Sequence, residues 1–285
     1  DATPKLARPA TLGVTYSVPQ CEAFGMVAGA AREALVTLCD LGLDLIRVCA
    51  YWNRVQRRGQ FDFAEIDWQL DELAKRSIKG ILTVEFYFPA EVRDRFPQAV
   101  NQDNPAGNRQ IAQLTLDYVA KLVEHTRDHP SIVSYQVENE PLNPVLVSSY
   151  RYLHREFVDQ EMQLVRSLKR PDQRVLLTNS VGGPQTDERM RDTMDLKPDG
   201  VGINAYYASA VPNMPPPFNY YNVALAHWEG QIVKWREDLD AAGIEPFVAE
   251  SQAEPWEDTA DVLSKHEFPS ANPRNTFELV GALAK

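Results

Sequence analysis

A short stretch in the middle of the chain combines residue types that can transfer protons. Residues 132–141 read I-V-S-Y-Q-V-E-N-E-P, a β-prone run that ends in two carboxylates with an amide between them and a proline after them. Side chains alternate between the two faces of a strand, so Gln136, Glu138 and Glu140 are expected to share one face. Two acids on an apolar strand are costly to bury unless they are hydrogen-bonded or used. The pattern therefore indicates either acid/base chemistry at a strand end or acids that are simply solvated there.

The composition is typical of a globular protein and excludes several classes of function. The chain has 285 residues, of which 44% are hydrophobic and 24% charged, and it can bury a large core. Its formal charge of −11 argues against a nucleic-acid partner, because polyphosphates bind basic surfaces. No window approaches the ~18 consecutive apolar residues of a membrane span. A neutral substrate is the easier fit.

Cysteines, histidines and the first residue add little chemistry. The three cysteines are too few, and odd in number, for a disulfide framework. The five histidines show no metal-ligand spacing apart from His125 and His129, which we interpret as surface residues, so we expect no metal or cofactor. The chain begins at Asp1, which indicates that a signal peptide, an upstream segment or a tag once preceded it. A secreted or periplasmic location is slightly favoured over the cytoplasm.

The chain repeats one unit, a β-prone run followed by an amphipathic helix, which predicts a parallel sheet with helical crossovers. The predicted strands are residues 11–17, 43–51, 80–87, 132–141, 175–181, 200–207 and 246–251. The predicted helices are residues 33–41, 63–76, 109–125, 148–169, a short helix within 182–194, 223–242 and 276–285. Seven βα units in order predict an α/β fold, a single (β/α)8 TIM barrel over residues 1–285 that lacks its eighth strand.

The missing eighth strand leaves three interpretations open. The chain is a C-terminally truncated fragment, a segment assigned to a loop supplies the strand, or a partner chain closes the sheet. We favour the fragment, because the predicted helix at 276–285 resembles an ordinary crossover that ends without its strand.

Polar side chains at the carboxyl ends of the strands of such a barrel meet at one rim, where the βα loops converge. The ends of strands two, four, six and seven deliver carboxylates, amides and aromatic rings: Arg47, Tyr51, Trp52, Asn53, Glu138, Asn139, Glu140, Asn204, Tyr206, Tyr207, Glu250, Gln252, Glu254 and Trp256. Carboxylates and amides suit sugar hydroxyls, and aromatic rings suit the C–H faces of sugars. The rim therefore predicts a site for an oligo- or polysaccharide.

The motifs at these strand ends resemble those of a known clan. The N-E-P at 139–141 on a fourth strand, with Glu250 on a seventh, resembles clan GH-A, the retaining glycoside hydrolases of the cellulase/β-galactosidase-like superfamily. The Q-V-E-N-E at 136–140 is similar to the Q-x-E-N-E of some β-galactosidase families, and residues 42–62 resemble their G…IR…W…G-x-F-D pattern. The likeness covers strands one to seven, and its specific elements are N-E-P and the second glutamate.

The resemblance implies a role for each matching residue. Glu140 matches the acid/base and Glu250 the nucleophile. Asn139 matches the residue that holds the sugar 2-hydroxyl, Arg47 the strand-two arginine near the nucleophile, and Tyr206 the tyrosine that hydrogen-bonds the nucleophile. The clan usually also has a tryptophan at the end of strand eight, and no such strand is predicted in this chain.

Retaining hydrolysis has its own physical requirement. It uses two carboxyl groups about 5–5.5 Å apart, one protonated to assist the leaving oxygen and one ionised to attack the anomeric carbon. A closed barrel brings together Glu140 and Glu250, which are far apart in the sequence. The negative charge of Glu250, held beside Arg47, is expected to raise the pKa of Glu140.

The remaining rim residues and the activity itself have alternatives. Glu138 either holds a sugar hydroxyl or pairs with Arg47 as scaffolding, and Trp52 and Trp256 either form sugar platforms or plug the barrel mouth. Asn204 is expected to contact the substrate. The predicted function is retaining hydrolysis of a β-glycosidic bond by two glutamates. A carbohydrate-binding pseudoenzyme, an inactive barrel fragment and a transglycosidase with the same residues remain alternatives.

Overall fold

The chain folds as a parallel sheet with helices packed against it. The structure, a computed structural model, describes residues 11–23, 25–85, 87–95, 109–143, 153–181, 186–205, 208–210, 220–222 and 225–251. The strands are β1 (Gly13–Tyr16), β2 (Leu45–Tyr51), β3 (Gln56–Arg57), β4 (Gln60–Phe61), β5 (Lys79–Glu85), β6 (Ile132–Val137), β7 (Arg174–Ser180), β8 (Gly200–Asn204), β9 (Ala208–Ala210), β10 (Tyr220–Asn222) and β11 (Glu245–Glu250). The helices are α1 (Val18–Ala23), α2 (Ala28–Asp40), α3 (Trp52–Val55), α4 (Ala64–Ala74), α5 (Ala90–Arg95), α6 (Arg109–Thr126), α7 (Arg155–Leu168), α8 (Thr186–Asp195) and α9 (Leu225–Ala241).

Seven strands form one sheet in the order β1-β2-β5-β6-β7-β8-β11, and every neighbouring pair is parallel. At least one helix separates each pair along the chain, as parallel pairing requires. The predicted fold class is thus confirmed, as a partial (β/α)8 barrel of seven strands. Within the described residues β1 and β11 each pair on one side only. The predicted helix at 276–285 lies outside the described residues.

The sheet curls strongly. Five strand spacings separate β2 from β11, which is about 24 Å along a flat sheet. Nevertheless Arg47 Nη1 on β2 lies 2.5 Å from Glu250 Oε1 at the end of β11. The Arg47 side chain on β2 therefore reaches the carboxyl end of β11 across the interior of the curled sheet.

The strand register divides the sheet into an apolar outer face and a more polar inner face. Residues that pair across neighbouring parallel strands share a face of the sheet. The inner face therefore consists of the residues in register with Arg47 from strand to strand, together with every second residue along each strand. Its members include Arg47, Thr83, Gln136, Thr178, Ser180, Gly202 and Asn204. The residues between them, such as Val48, Leu82 and Leu177, belong to the apolar core that packs under the helices. This alternation, rather than a uniformly apolar strand, leaves polar groups in the barrel interior.

The structure corrects the predicted end of the fourth strand. That strand ends at Val137, and Glu138 and Glu140 have φ values of 56° and 49°. Positive φ reverses the backbone, so the strict alternation that placed Gln136, Glu138 and Glu140 on one face stops here. The predicted helix at 148–169 is seen as α7, and residues 144–152 lie outside the described residues.

The helices of the structure were compared with the requirements of a membrane-spanning helix. In the part of the chain that the structure describes, none of the helices has the length and apolar character needed to cross a bilayer.

Gly202 marks the closest approach between β8 and β11. A Cβ added at this glycine would lie 2.6 Å from Ala249 Cβ and 2.8 Å from the ring of Phe247. Real Cβ contacts are longer than this, so a side chain at position 202 would force the two strands apart.

We therefore expect Gly202→Ala to lower the free energy of unfolding by about 1–3 kcal/mol through overpacking. Gly230 on α9 is the matched control, because a Cβ there meets nothing within 4 Å. Gly230→Ala should raise the free energy of unfolding by about 0.5–1 kcal/mol, since glycine is a poor helix former. Urea unfolding followed by circular dichroism measures both, and equal effects of one sign would contradict the packing argument.

Glu161 on α7 is a buried acid remote from the inner face. Its exposed fraction is 0%, and neither carboxylate oxygen has a hydrogen-bond partner among the described residues. Burial raises the pKa of Glu161 from 4.5 to about 8. Between these two values the folded protein keeps a proton that the unfolded chain loses, so stability falls as the pH rises.

Glu161→Gln should remove this pH dependence. The free energy of unfolding of the variant minus that of the wild type is expected to increase by about 1.4 kcal/mol per pH unit between pH 5 and pH 8. Denaturant titrations at several pH values measure the difference, with Glu124→Gln on the exposed side of α6 as the control. Parallel stability curves for wild type and Glu161→Gln would show that the buried carboxyl does not titrate as described.

Candidate active site

The site is built around the guanidinium of Arg47, which is 4% exposed. Nη1 donates to Glu250 Oε1 at 2.5 Å, Nη2 donates to Asn139 Oδ1 at 3.1 Å, and Nε donates to Thr83 Oγ1 at 3.0 Å. These partners come from β11, the turn after β6, and β5. One buried cation thus joins three separate parts of the barrel rim.

The turn after β6 carries Glu138, Asn139 and Glu140 in an unusual backbone conformation. Both glutamates have positive φ, which costs non-glycine residues on the order of 1–3 kcal/mol unless surrounding contacts impose it. The contacts are present: Glu138 N–H donates to Val84 O at 3.0 Å, and Glu140 N–H donates to Thr178 Oγ1 at 2.9 Å. The turn is therefore held from β5 on one side and from β7 on the other.

Glu140 lies partly buried between two amides. Asn204 Nδ2 donates to its Oε1 at 2.5 Å, and Asn143 Nδ2 donates to its Oε2 at 2.7 Å. Burial raises the pKa of Glu140, and the negative charge of Glu250 raises it further. The hydrogen bonds from the amides and from Ser180 act in the opposite direction, because they favour the ionised form. The net effect is a pKa above the ordinary value of 4.5.

Glu250 and Asn204 are neighbours across β11 and β8, paired by their Cα atoms next to a register shift after Val248. The Glu250 side chain keeps 18% of its surface exposed while it pairs with Arg47. Since Asn204 touches Glu140 and stands beside Glu250, the two carboxylates belong to one cleft.

Asn139 presents a free donor in this cleft. Its Oδ1 accepts from Arg47 Nη2 and from Thr178 Oγ1. A guanidinium only donates, so the oxygen of the amide must face it and the orientation of the side chain is settled. Both Nδ2 hydrogens of Asn139 have no acceptor among the described residues. Because Asn139 is exposed, these hydrogens are accessible to an acceptor group of a ligand.

Trp52 is not a cleft residue, which corrects its predicted contact with substrate. It is 1% exposed, stacks on Tyr118 with ring centroids 5.3 Å apart, and also packs against Phe88. The strand ends at Tyr51, and Trp52 begins α3 facing the helix layer. Trp52 therefore packs in the core, and neither of the two expected roles, a sugar platform or a plug of the barrel mouth, describes it.

The other predicted site residues divide into two groups. Glu138 is 3% exposed and Asn204 is 0% exposed, so both lie beneath the cleft surface. Asn204 Oδ1 is buried with no hydrogen-bond partner within the described residues. Tyr206 and Trp256 lie outside the described residues, and so does the predicted contact of Tyr206 with Glu250.

Sequence reasoning missed three polar residues that contact the turn: Thr178, Ser180 and Asn143. Thr178 and Ser180 end β7, in the sequence T-N-S, at the same rim as the other candidates. A polar end on a buried strand was the available signal, and the end of strand five was not among the predicted sources of site residues. Asn143 lies past N-E-P, where strand periodicity carries no information.

No metal site is found in the residues that the structure describes, where no three His, Cys, Asp or Glu side chains are grouped to hold an ion. His125 on α6 and His129, three residues past the end of that helix, instead face carboxylates of α4. His125 Nε2 lies 2.7 Å from Asp67, and His129 Nε2 lies 3.3 Å from Asp71.

Comparison with solved structures identifies known folds that the chain shares. A β-galactosidase from the psychrophilic Marinomonas ef1 superposes with a TM-score of 0.60 at 13% identity, over 87% of this chain and 49% of that protein. A β-galactosidase from the Antarctic haloarchaeon Halorubrum lacusprofundi gives 0.59 at 15% identity, over 90% and 51%. Cel5A of Thermotoga maritima, solved with cellobiose, gives 0.55 at 14% identity over 88% of each chain.

These neighbours are glycosidases built on the barrel, and at such identities the likeness shows the fold alone. The chain spans about half the length of the two β-galactosidases. No protein-family model matches the sequence, and the search of curated proteins found no match.

The charge coupling in the site can be measured without any substrate. Because the negative charge of Glu250 raises the pKa of Glu140, Glu250→Gln should lower that pKa. Burial remains in the variant and continues to raise the pKa of Glu140, so only the part caused by the Glu250 charge should be lost. Carboxyl ¹³C NMR titration measures the change, with Glu140→Gln to assign the resonance and the exposed Glu245→Gln on the same strand as control. An unchanged Glu140 titration in Glu250→Gln would contradict the coupling.

Proposed function

We propose that the chain is a retaining glycoside hydrolase that cleaves a β-glycosidic bond, with Glu140 as acid/base and Glu250 as nucleophile. The proposal is carried by one observation: two carboxylates share a cleft but have different partners. Glu250 pairs with a guanidinium, whereas Glu140 is bonded by neutral amides. Two carboxyl groups in contrasting environments are the arrangement that general acid and nucleophile require.

The first step forms a covalent intermediate. Glu250 Oε attacks the anomeric carbon while the bond to the leaving oxygen breaks, and the proton of Glu140 passes to that oxygen. The raised pKa of Glu140 favours the protonated form that supplies this proton. Arg47 keeps the Glu250 carboxylate oriented through its Nη1 bond. Asn139 Nδ2, which has no hydrogen-bond partner among the described residues, can donate to a sugar hydroxyl beside the reacting carbon.

The second step releases the sugar. Glu140, now ionised, takes a proton from water as the water oxygen attacks the anomeric carbon and the bond to Glu250 breaks. The Asn143 and Asn204 amides stabilise the ionised Glu140 in this interval, because both donate to its carboxylate oxygens. Two inversions give net retention of configuration.

The substrate class follows from the fold neighbours and from the cleft. The neighbours include β-galactosidases and Cel5A of Thermotoga maritima in complex with cellobiose, so aryl β-galactosides, aryl β-glucosides and cello-oligosaccharides form the first panel. A neutral sugar suits a chain with a formal charge of −11.

Glu140→Gln and Glu250→Gln should each lower kcat/KM on the best substrate by at least about 10²–10⁴-fold, because each removes a group that acts in the transition state. Glu245→Gln, at the opposite end of β11, is the matched control and should change kcat/KM less than about threefold, because its carboxylate is solvent-exposed and remote from the reacting atoms. Initial rates on the panel measure both, and ¹H NMR of the first-formed anomer tests retention.

The two glutamates should differ with an activated leaving group. A dinitrophenyl glycoside needs no proton, so Glu140→Gln should still release the phenol in a burst, whereas Glu250→Gln should not. Sugar binding without turnover by the wild type would instead support a carbohydrate-binding protein, and predominance of glycosyl transfer to sugar acceptors would support a transglycosidase.

A further inference from the structure

The carboxyl end of β7 carries two hydroxyls that the mechanism above does not use. Thr178 and Ser180 are two residues apart and share the inner face of the strand. Asn179 between them points the other way, where its Nδ2 donates to Thr193 Oγ1 on α8 at 3.2 Å. Both inner hydroxyls are directed at the turn that carries Glu140.

Thr178 acts on the backbone of this turn. Its Oγ1 accepts from Glu140 N–H at 2.9 Å and donates to Asn139 Oδ1 at 3.2 Å. Asn139 Oδ1 also accepts from Arg47, whose other amine donates to Glu250. A continuous hydrogen-bonded chain therefore runs from the peptide of one glutamate to the carboxylate of the other. Thr178 is buried, with 2% of its residue surface exposed.

Ser180 acts on the Glu140 carboxylate directly, since its hydrogen bond favours the ionised form, and also through the amide of Asn143. Asn143 Nδ2 donates one hydrogen to Glu140 Oε2 at 2.7 Å and the other to Ser180 Oγ at 2.6 Å. Asn143 is 5% exposed, and an ionised carboxylate only accepts, so Glu140 fixes the amide nitrogen on its own side while Ser180 Oγ accepts the second amide hydrogen. Loss of the Ser180 hydroxyl leaves the second amide hydrogen without this acceptor, so one hydrogen bond fewer holds the amide in place.

We propose that Thr178 and Ser180 are positioning residues for Glu140: Thr178 fixes the positive-φ peptide, and Ser180 fixes the Asn143 amide against the carboxylate. This rests on the function proposed above for Glu140. A residue with φ of 49° keeps that conformation only where its surroundings impose it, and the Thr178 hydroxyl is a bond that does so. Displacement of an acid by about 1 Å is enough to cost on the order of 10²-fold in rate.

The two hydroxyls should give different kinetic signatures. Thr178→Val keeps the shape and loses the hydroxyl, so kcat for a poor leaving group should fall about 10- to 100-fold with little change in KM. Release of dinitrophenol in the first turnover should stay within about threefold of wild type, because that step needs no acid. Thr178→Ser restores the hydroxyl and should restore most of the lost rate.

Ser180→Ala and Asn143→Leu should instead move the pH profile. Both changes remove hydrogen bonds that lower the pKa of Glu140, so this pKa should rise. Glu140 must be protonated to act as an acid, and the alkaline limb of kcat/KM should shift to higher pH. Carboxyl ¹³C NMR measures the same shift without turnover.

Thr193→Val is the matched control, since it deletes a buried hydroxyl that bonds to the same strand from its outer side. It should alter thermal stability without altering leaving-group dependence or the pH profile. The positioning role of Thr178 is overturned if Thr178→Val slows the hydrolysis of all substrates equally. It is also overturned if the kinetics of Thr178→Val are indistinguishable from those of Thr193→Val. Unshifted Glu140 titrations in Ser180→Ala and Asn143→Leu overturn that of Ser180.

The assays also separate this proposal from the function on which it rests. A wild type that hydrolyses glycosides, and a Glu140→Gln variant that does not, establish the role of Glu140 first. If Thr178→Val and Ser180→Ala then show the same kinetics as the wild type, the positioning proposal alone is overturned. Full activity in Glu140→Gln, or none in the wild type, overturns both.

Discussion

The ion pair between Arg47 and Glu250 is the interaction on which the site depends. A guanidinium that is 4% exposed is costly to desolvate, and it is stable here because carboxylate, amide and hydroxyl oxygens surround it. Those oxygens come from strands that would lie far apart in a flat sheet. The contacts that satisfy the buried charge are thus available only when the sheet curls, and the curl places Glu250 opposite the turn after β6. The curl of the sheet and the arrangement of the site therefore depend on the same contacts of Arg47.

The turn after β6 shows how backbone strain is tolerated beside that charge. Glu138 and Glu140 both take a conformation that glycine adopts more easily, and neither is glycine. The peptide groups bond to Val84 O and Thr178 Oγ1, so β5 and β7 hold the turn on both sides. With glycine at position 140 the strain would disappear, and so would the carboxylate. The sequence keeps the acid and relies on neighbouring strands to hold it.

Sequence periodicity predicted the strands and helices, which depend on burial, and it missed side chains whose positions depend on specific contacts. The seven strands are apolar on their outer face and are followed by helices, so pattern alone located them, and strand ends then indicated Glu140 and Glu250. Trp52 was misassigned because one residue beyond β2 the chain enters α3, and a stack on Tyr118 decides its direction. Thr178 and Ser180 were accessible in principle from period two and strand register. Asn143 was not, because its place follows from a reversed backbone that no residue pattern encodes.

The contrast between the two glutamates follows from which strands supply their partners. The cation stands on β2 and reaches β11, so it pairs with Glu250, whereas β7, β8 and the turn supply only hydroxyls and amides to Glu140. Neutral donors compensate a buried carboxylate less than a cation does, and Glu250 itself opposes a second negative charge nearby. An arginine beside Glu140 would favour loss of the proton that acid catalysis needs. The order of strands around the barrel determines which carboxylate meets the guanidinium, and the two roles proposed for the glutamates rest on that order.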